Sequence, residues 1–326
     1  VSMDFYVKKT SDMLLNMPIP SFGAFPNSPF FNAGDLKNTG FEIVVNYRNQ
    51  IGKDFTYNVG LNLSSVRNKA IRFSGDGAVY TGGFHGDQII SNIDNALISR
   101  FYGYVADGLF QNWEEVYAHT NEHGTLVQPN AQPGDIRFKD LNHDGNLDAN
   151  DKTWIGNPYP DLMLGFNLGF TYKNIDFAAN FYGTIGNDIY NKTKEMYSGT
   201  AGQNVWAGTF DKAWHGEGTS NDIPRLSYGD YNQNYSRVSS FYVEDGSYIR
   251  LKNLSLGYTF PKKWMSKCGV ENLRVYCNIQ NLLTITGYDG YDPEIGVSTM
   301  SPNVYGVDFG RYPSPTTYSF GLNLSF

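Results

Sequence analysis

The chain has 326 residues, 35 of them Gly, and aromatic side chains make up 16% of it, with 24 Tyr and 22 Phe. That mixture suits strands, tight turns and aromatic belts at membrane interfaces, and the length allows one large all-β unit or two smaller domains. A net charge of −7 with scattered Lys and Arg argues against a nucleic-acid partner, and the lack of any run of about 18 apolar residues excludes a transmembrane helix.

Alternating segments then recur in chain order. Val1, Met3, Phe5 and Val7 share one face of a first strand. After a Pro-rich stretch, Phe41, Ile43, Val45 and Tyr47 alternate with Glu42, Asn46 and Arg48. The turn Asn49–Asp54 leads into Phe55, Tyr57, Val59, Leu61 and Leu63, set against Thr56, Asn58, Gly60 and Asn62. A long connection runs from about Arg67 to Asp161. Leu164, Phe166, Leu168, Phe170 and Tyr172 follow, opposed by Gly165, Asn167, Gly169 and Thr171, and the turn Lys173-Asn174 joins them to Ile175, Phe177, Ala179 and Phe181. A second long connection covers roughly Gly186 to Asp245. Tyr248, Arg250, Lys252, Leu254, Leu256, Tyr258 and Phe260 then read as one face of a strand ending at Pro261. A turn to Gly269 precedes the strand Leu273–Ile285, and a third long loop reaches Pro313. In the last segment Tyr318, Phe320, Leu322, Leu324 and Phe326 oppose Ser319, Gly321, Asn323 and Ser325.

Strict alternation of this kind describes strands between an apolar and a polar environment. It predicts eight strands of about nine or more residues, long enough to cross a bilayer when tilted. A β-barrel escapes hydropathy analysis because every second residue faces water. Long and short gaps alternate, as in bacterial barrels with short periplasmic turns and long extracellular loops, and every short gap lands on the periplasmic side. The expected fold is all-β, a transmembrane antiparallel barrel. Glu42, Asn46, Arg48, Asn58, Asn62, Asn167, Asn278 and Gln280 are expected to line its hydrated interior. No signal peptide is visible, so Val1 is expected to lie inside a longer gene product. Two alternatives stand beside this reading: a secreted, calcium-stabilised carbohydrate-binding or adhesin β-sandwich, and a complete eight-stranded barrel serving as an anchor.

One constellation carries metal chemistry. Asp140, Asn142 and Asp144 occupy positions one, three and five of a loop with Gly145 at six and Asp151 at twelve. That is the spacing by which a twelve-residue loop wraps a hard cation. Asn146 would add its backbone carbonyl and Asp148 would bind through water. Ca²⁺ in a structural role is the expected occupant, against the plainer reading of an Asn/Asp-rich loop held by its own hydrogen bonds. His119 and His123 stand four apart without a third ligand, and the pair is expected to be a solvated polar face rather than a zinc site. Trp206, Trp214, Tyr190, Tyr197, Tyr228, Tyr231 and Tyr235 crowd the second long loop; packing within the loops or at an interface is the expected role, with stacking on sugar rings as the other. Cys268 and Cys277 are expected to be unrelated thiols rather than a hairpin disulfide. No Gly-x-Ser-x-Gly, P-loop or dinucleotide fingerprint points to an enzyme.

Several motifs occur together and in order: Asn38-Thr-Gly-Phe-Glu42, Phe101-Tyr-Gly-Tyr104 continuing to Gln111, Gly134-Asp-Ile-Arg-Phe138 continuing to Asp148, Ile155-Gly-Asn-Pro-Tyr-Pro160, Glu244-Asp-Gly-Ser-Tyr248 continuing to Pro261, Asn281–Gly287 and Tyr291-Asp-Pro-Glu294. With them the chain resembles the carboxy-terminal part of the SusC/RagA family of TonB-dependent outer-membrane transporters. The resemblance implies a 22-stranded barrel with an amino-terminal plug, a SusD-like lipoprotein capping it outside, energy from TonB acting on the plug, and import of a nutrient, glycan or peptide. Residues 1–326 would be the last eight strands, without the plug.

Overall fold

Where the two-residue period runs unbroken the chain is extended, and Gly, Asn, Asp or Pro marks where it turns. The computed structural model describes residues 1–16, 30–73, 79–81, 90–92, 97–197, 204–266, 269–297 and 304–326. The Pro-rich connection and Cys268 lie outside the described residues. Eight long strands form as expected: β1 (Ser2–Asn16), β2 (Phe30–Ile51), β3 (Phe55–Phe73), β4 (Leu162–Tyr172), β5 (Ile175–Ile185), β6 (Tyr248–Thr259), β7 (Asn272–Thr286) and β8 (Thr317–Ser325). They pair in chain order, antiparallel throughout, in one eight-stranded sheet whose edges are β1 and β8. The two edges do not pair with each other, so the complete eight-stranded barrel is not what forms.

Among the described residues every other strand is short and belongs to a long loop. Among the described residues nothing covers the apolar side of the sheet: Phe5 and Phe320 are each 80% exposed. A β-sandwich would bury that side against a second sheet, so the sandwich alternative fails on this point. At the short-turn end the outward aromatics touch across strands. Tyr47 stands 6.0 Å from Tyr57, Phe55 6.0 Å from Phe170, and Phe170 4.9 Å from Phe177. Such a belt suits a membrane interface. An apolar groove also lies on this outer wall, between Leu256, Val275, Cys277 and Phe320, and Cys277 is a free thiol.

The opposite face is polar and flush. Asn46, Gly60, Asn167, Asn180, Asn253, Gln280 and Thr317 stand opposite one another across seven neighbouring strands, a transverse row with no charge. Glycine at position 60 lets its neighbours lie down: a Cβ there would sit 2.9 Å from Asn46 Oδ1 and 3.4 Å from Asn167 Nδ2. One row nearer the short turns, Arg48, Asn58, Gly169, Ala178, Ser255, Asn278 and Ser319 repeat the pattern. Closer still to that end, Arg274 on β7 reaches over Gly257 on β6 to Asp176 on β5, with Nε–Oδ1 at 2.9 Å and Nη2–Oδ2 at 2.6 Å. The inward positions expected from sequence, including Glu42 and Asn62, all fall on this side.

One face assignment needs correction. Against β5 the register of β6 slips between Leu251 and Asn253, leaving Lys252 as an extra residue, and against β7 the same step leaves Lys252 facing Asn281 and Leu282. A bulge of this kind puts two successive side chains on one side and inverts the alternation beyond it. Leu256 points outward and is 53% exposed, whereas Arg250, on the face expected for it, is 3% exposed and turned inward. Tyr248, Arg250 and Lys252 therefore belong to the interior, not to the lipid side with Leu254 and Leu256.

Candidate functional site

The three long connections leave the sheet at the end opposite the short turns and pack together. Phe101 from the first, Tyr190, Val238 and Tyr242 from the second, and Val304 and Val307 from the third bury one another in a common core. Gly103 permits this approach, because a Cβ there would collide with the carbonyl of Val238. Phe101 and Tyr190 meet edge-on at 6.0 Å, and Tyr159 stacks on Tyr305 at 4.8 Å. Polar groups follow the same logic. The fully buried Asp135 carboxylate receives Arg225 Nε at 2.7 Å and Asn234 Nδ2 at 2.9 Å. Gln128 donates to Asn232 at 2.9 Å, and Asn232 donates to Asn234 at 2.7 Å. These paired buried amides hold the first and second connections together.

This cap is tied to the wall by charge. Arg250 Nη2 donates to Asp292 Oδ1 at 2.6 Å and its Nη1 to Glu294 Oε2 at 2.8 Å, while Lys252 Nζ reaches Glu294 Oε2 at 2.6 Å. Two motifs read separately in the sequence, one on β6 and one in the third loop, thus form one ion cluster. Burial pushes the Asp292 carboxyl up, but bonds from Arg250 and the N–H groups of Ser314 and Glu294 outweigh it and bring it down to about 2. The bulge at Lys252 is what turns both cations toward the loop. The signal for this was in the sequence: Arg and Lys alternating on a supposed lipid face mark a face switch.

The Asp140 loop is wound by side-chain-to-backbone bonds. Asp140 Oδ2 accepts from Gly145 N at 2.7 Å, Asn142 Oδ1 from Asp144 N at 3.0 Å, and Asp144 Oδ1 from Asn146 N at 2.7 Å. Asp151, fully buried, accepts from Leu141 N and Asp148 N, each at 2.8 Å, and so draws the two ends together. Gly145, at φ +86°, supplies the left-handed turn. No three acidic, His or Cys side chains converge as a metal group among the described residues. Asp140 Oδ1 is nonetheless buried without a hydrogen-bond partner.

The histidines divide. His123 is exposed beside Glu122, as expected. His119 is half-buried: it caps the helix α1 (Trp113–Ala118), bonds the carbonyl of Phe138 at 3.0 Å and meets Phe110 at 5.5 Å. Burial holds its imidazole below the usual range, against the opposing effect of the Phe138 carbonyl.

The loop aromatics divide as well. Tyr190 and Tyr235 are buried, and Trp214 packs on Gly134 while donating Nε1–H to Gln111 at 3.1 Å. Tyr228 and Tyr231 stand in solvent. Tyr197 and Trp206, with Phe241, line a cleft of about 680 Å³ on the cap. Lys212, Asp222 and Asp289 are also in its lining, and the sequence pattern alone did not single them out, since they come together only through the loop core.

No family model matches the chain. Over 335 residues it is 34% identical to TonB-dependent receptor P3 of Formosa agariphila, the match covering 100% of this chain and 32% of that protein. It is 32% identical to TonB-dependent receptor P26 of the same organism and 29% identical to TonB-dependent receptor SusC of Bacteroides thetaiotaomicron, covering 99% of this chain in each case. The chain therefore spans about a third of the length of these relatives. A solved structure of the RagAB peptide transporter shares its fold, with a TM-score of 0.76 at 24% identity over 99% of this chain and 33% of that one. In sequence this chain is similar to a portion of the TonB-dependent receptors, SusC among them, and in architecture to the matching part of the RagAB β-barrel.

Proposed function

We propose that residues 1–326 form the carboxy-terminal wall and the outer cap of a transporter that imports a nutrient, glycan or peptide. The remaining strands of the same polypeptide would pair with the edges β1 and β8, since unpaired strand edges in hydrocarbon cost several kcal/mol per backbone group. A plug would fill the lumen and transmit work from TonB, and a SusD-like lipoprotein would cover the loop cap. The observation that carries this reading is the division of the sheet: a continuous exposed apolar face on one side, a polar face crossed by an uncharged amide-rich row on the other, and the three long connections gathered at one end. The test is to isolate the native protein from outer membranes in detergent. A surface lipoprotein is expected to co-purify, and uptake of the cargo is expected to stop when TonB is removed. Recovery without detergent, as a dispersed monomer, would overturn the reading.

We also propose that the Asp140 loop takes a structural Ca²⁺. The buried, unpaired Asp140 Oδ1 supports it, together with the oxygen-donor spacing of Asn142, Asp144, Asn146 and Asp151. The cation would stiffen the loop and take no part in transport chemistry.

A further inference from the structure

The outward face of the wall carries a charged row that the transport reading does not use. Lys9 on β1, Lys37 on β2 and Lys69 on β3 stand directly opposite one another, three cations abreast. The register is unbroken from the apolar positions up to this row, shifting only beyond Thr10 on β1 and between Asp35 and Leu36 on β2. The lysines therefore share a face with Phe5, Val7 and Phe41, and all three are exposed. One row nearer the apolar band, Val7, Thr39 and Arg67 stand abreast. Among the described residues no carboxylate pairs with any of the three lysines, and Arg67 reaches Asp161 only at 4.0 Å, with both side chains exposed. Like charges directly opposite on neighbouring strands are destabilising. Lysine guards open sheet edges, but Lys37 and Lys69 lie on interior strands, so edge protection does not account for them.

Height places the row at a membrane boundary. Lys37 stands ten residues along β2 from Tyr47, which belongs to the aromatic belt at the short-turn end. At about 3.4 Å per residue and a tilt of about 40°, that stretch rises about 25 Å, the height of the apolar band of an outer-membrane barrel. The row thus meets the polar edge of the membrane on the long-loop side, which is the extracellular side of such barrels.

We propose that Lys9, Lys37 and Lys69 bind the phosphates of an outer-leaflet glycolipid, a phosphorylated lipopolysaccharide, whose acyl chains run down the wall over Val7, Phe5 and Phe41. The proposal goes beyond the transport reading and rests on its placement of the sheet in the outer membrane. Lysine binds phosphate as a point charge, and a bound phosphate relieves the repulsion along the row. An acidic patch on a partner protein would match the charge but not the apolar side chains directly beneath it. Phosphate above hydrocarbon matches both, because Phe5 and Phe41, whose rings lie 6.3 Å apart, continue the same face.

The experiment uses the whole transporter with its capping lipoprotein, purified from outer membranes in detergent. Two probes are titrated: lipopolysaccharide from the same membrane, and the same material stripped of phosphate with hydrofluoric acid. Wild type is expected to bind the phosphorylated form at least about tenfold tighter, a 1.4 kcal/mol difference. K9Q, K37Q and K69Q together are expected to erase that preference, and K37R to keep it. K262Q with K263Q, which removes two exposed cations at the opposite end of the wall, is expected to change nothing. Equal binding of the two forms by wild type, or a preference that survives in the triple variant, would overturn the proposal. A triple variant that keeps the preference but sheds the lipoprotein would assign the row to a protein partner instead. Should the triple variant fail to assemble, the wild-type comparison decides together with K37Q alone, which is expected to weaken the preference several-fold. A preparation that needs detergent and retains its lipoprotein, yet shows no preference, refutes the lipid site and leaves the transport reading standing.

Discussion

Arg250 Nη2 and Asp292 Oδ1 lie 2.6 Å apart, both buried, and join the barrel wall to the third loop. Removing one member leaves the other charged and unpaired in a dry site, which costs about 3–5 kcal/mol. R250A is therefore expected to release residues 287–297 from the wall. Intact cells carrying it should show this segment cleaved by added protease, while wild-type cells resist. R250K should be intermediate, because a lysine cannot fork between Asp292 and Glu294.

The same contact is pH-dependent with a defined sign. The Asp292 carboxyl is held down to about 2 in the folded cap, below its ordinary value of 3.8. Its contribution is thus fully present above about pH 4 and fades as pH falls toward 2. Pepsin cleavage of the third loop is expected to rise across that interval. D292N should be cleaved readily at pH 4 and show no further step on acidification.

Phe320 and Ser319 are neighbours that meet different solvents. F320R places a charge on the hydrocarbon side, at a cost of about 2–4 kcal/mol near the bilayer midplane. Outer-membrane yield of the folded, heat-modifiable form should drop sharply. S319R, pointing inward beside Asn278, is expected to assemble at near wild-type yield.

Gly257 sits beneath the bridge between β5 and β7. A Cβ there would come within 2.5 Å of Arg274 Nη2 and of Asp176 Oδ1. G257V is expected to part the two charges and destabilise the short-turn end by about 1–3 kcal/mol, read as a lower unfolding midpoint in urea. Alanine at Gly52, where nothing lies within 4 Å but φ is +64°, should cost less, through backbone strain alone.

If the Asp140 loop takes calcium, chelation should open it. Trypsin cleavage after Lys139 is expected to increase on adding EGTA and to recover on adding Ca²⁺ but not Mg²⁺. D140N should be insensitive to both. Identical cleavage with and without chelator would leave the loop explained by its own hydrogen bonds.

Much of the wall was legible because membrane strands repeat with period two and the two tightest turns, of two and three residues, leave little freedom. The segments at 164–172 and 175–181, with Lys173-Asn174 between them, were read residue by residue and pair as that reading requires. The reading failed at Lys252 because a single extra residue leaves no mark in an alternation count; only the charges of Arg250 and Lys252 hinted that the face had changed. The cap was far less legible. Its core joins Phe101 to Val304, and its amide network joins Gln128 to Asn232, contacts between residues about a hundred or more apart that no local periodicity encodes. Motif spacing did locate the Asp140 loop, whose Asx turns close within a few residues and follow from residue type, although Asn121 also donates to the Asp144 carbonyl from 23 residues away.

The shared core of the three long connections has a consequence for biogenesis. Phe101, beside Ile155 of its own connection, is not fully sheltered until Tyr190 and Val304 have joined it, so this shared core cannot be completed loop by loop. It must condense in one late step, after the hairpins are inserted, and a stalled intermediate would display unsheltered aromatics to the cell exterior. Length changes should accordingly be tolerated at the periphery of each excursion and resisted wherever a residue faces the other two.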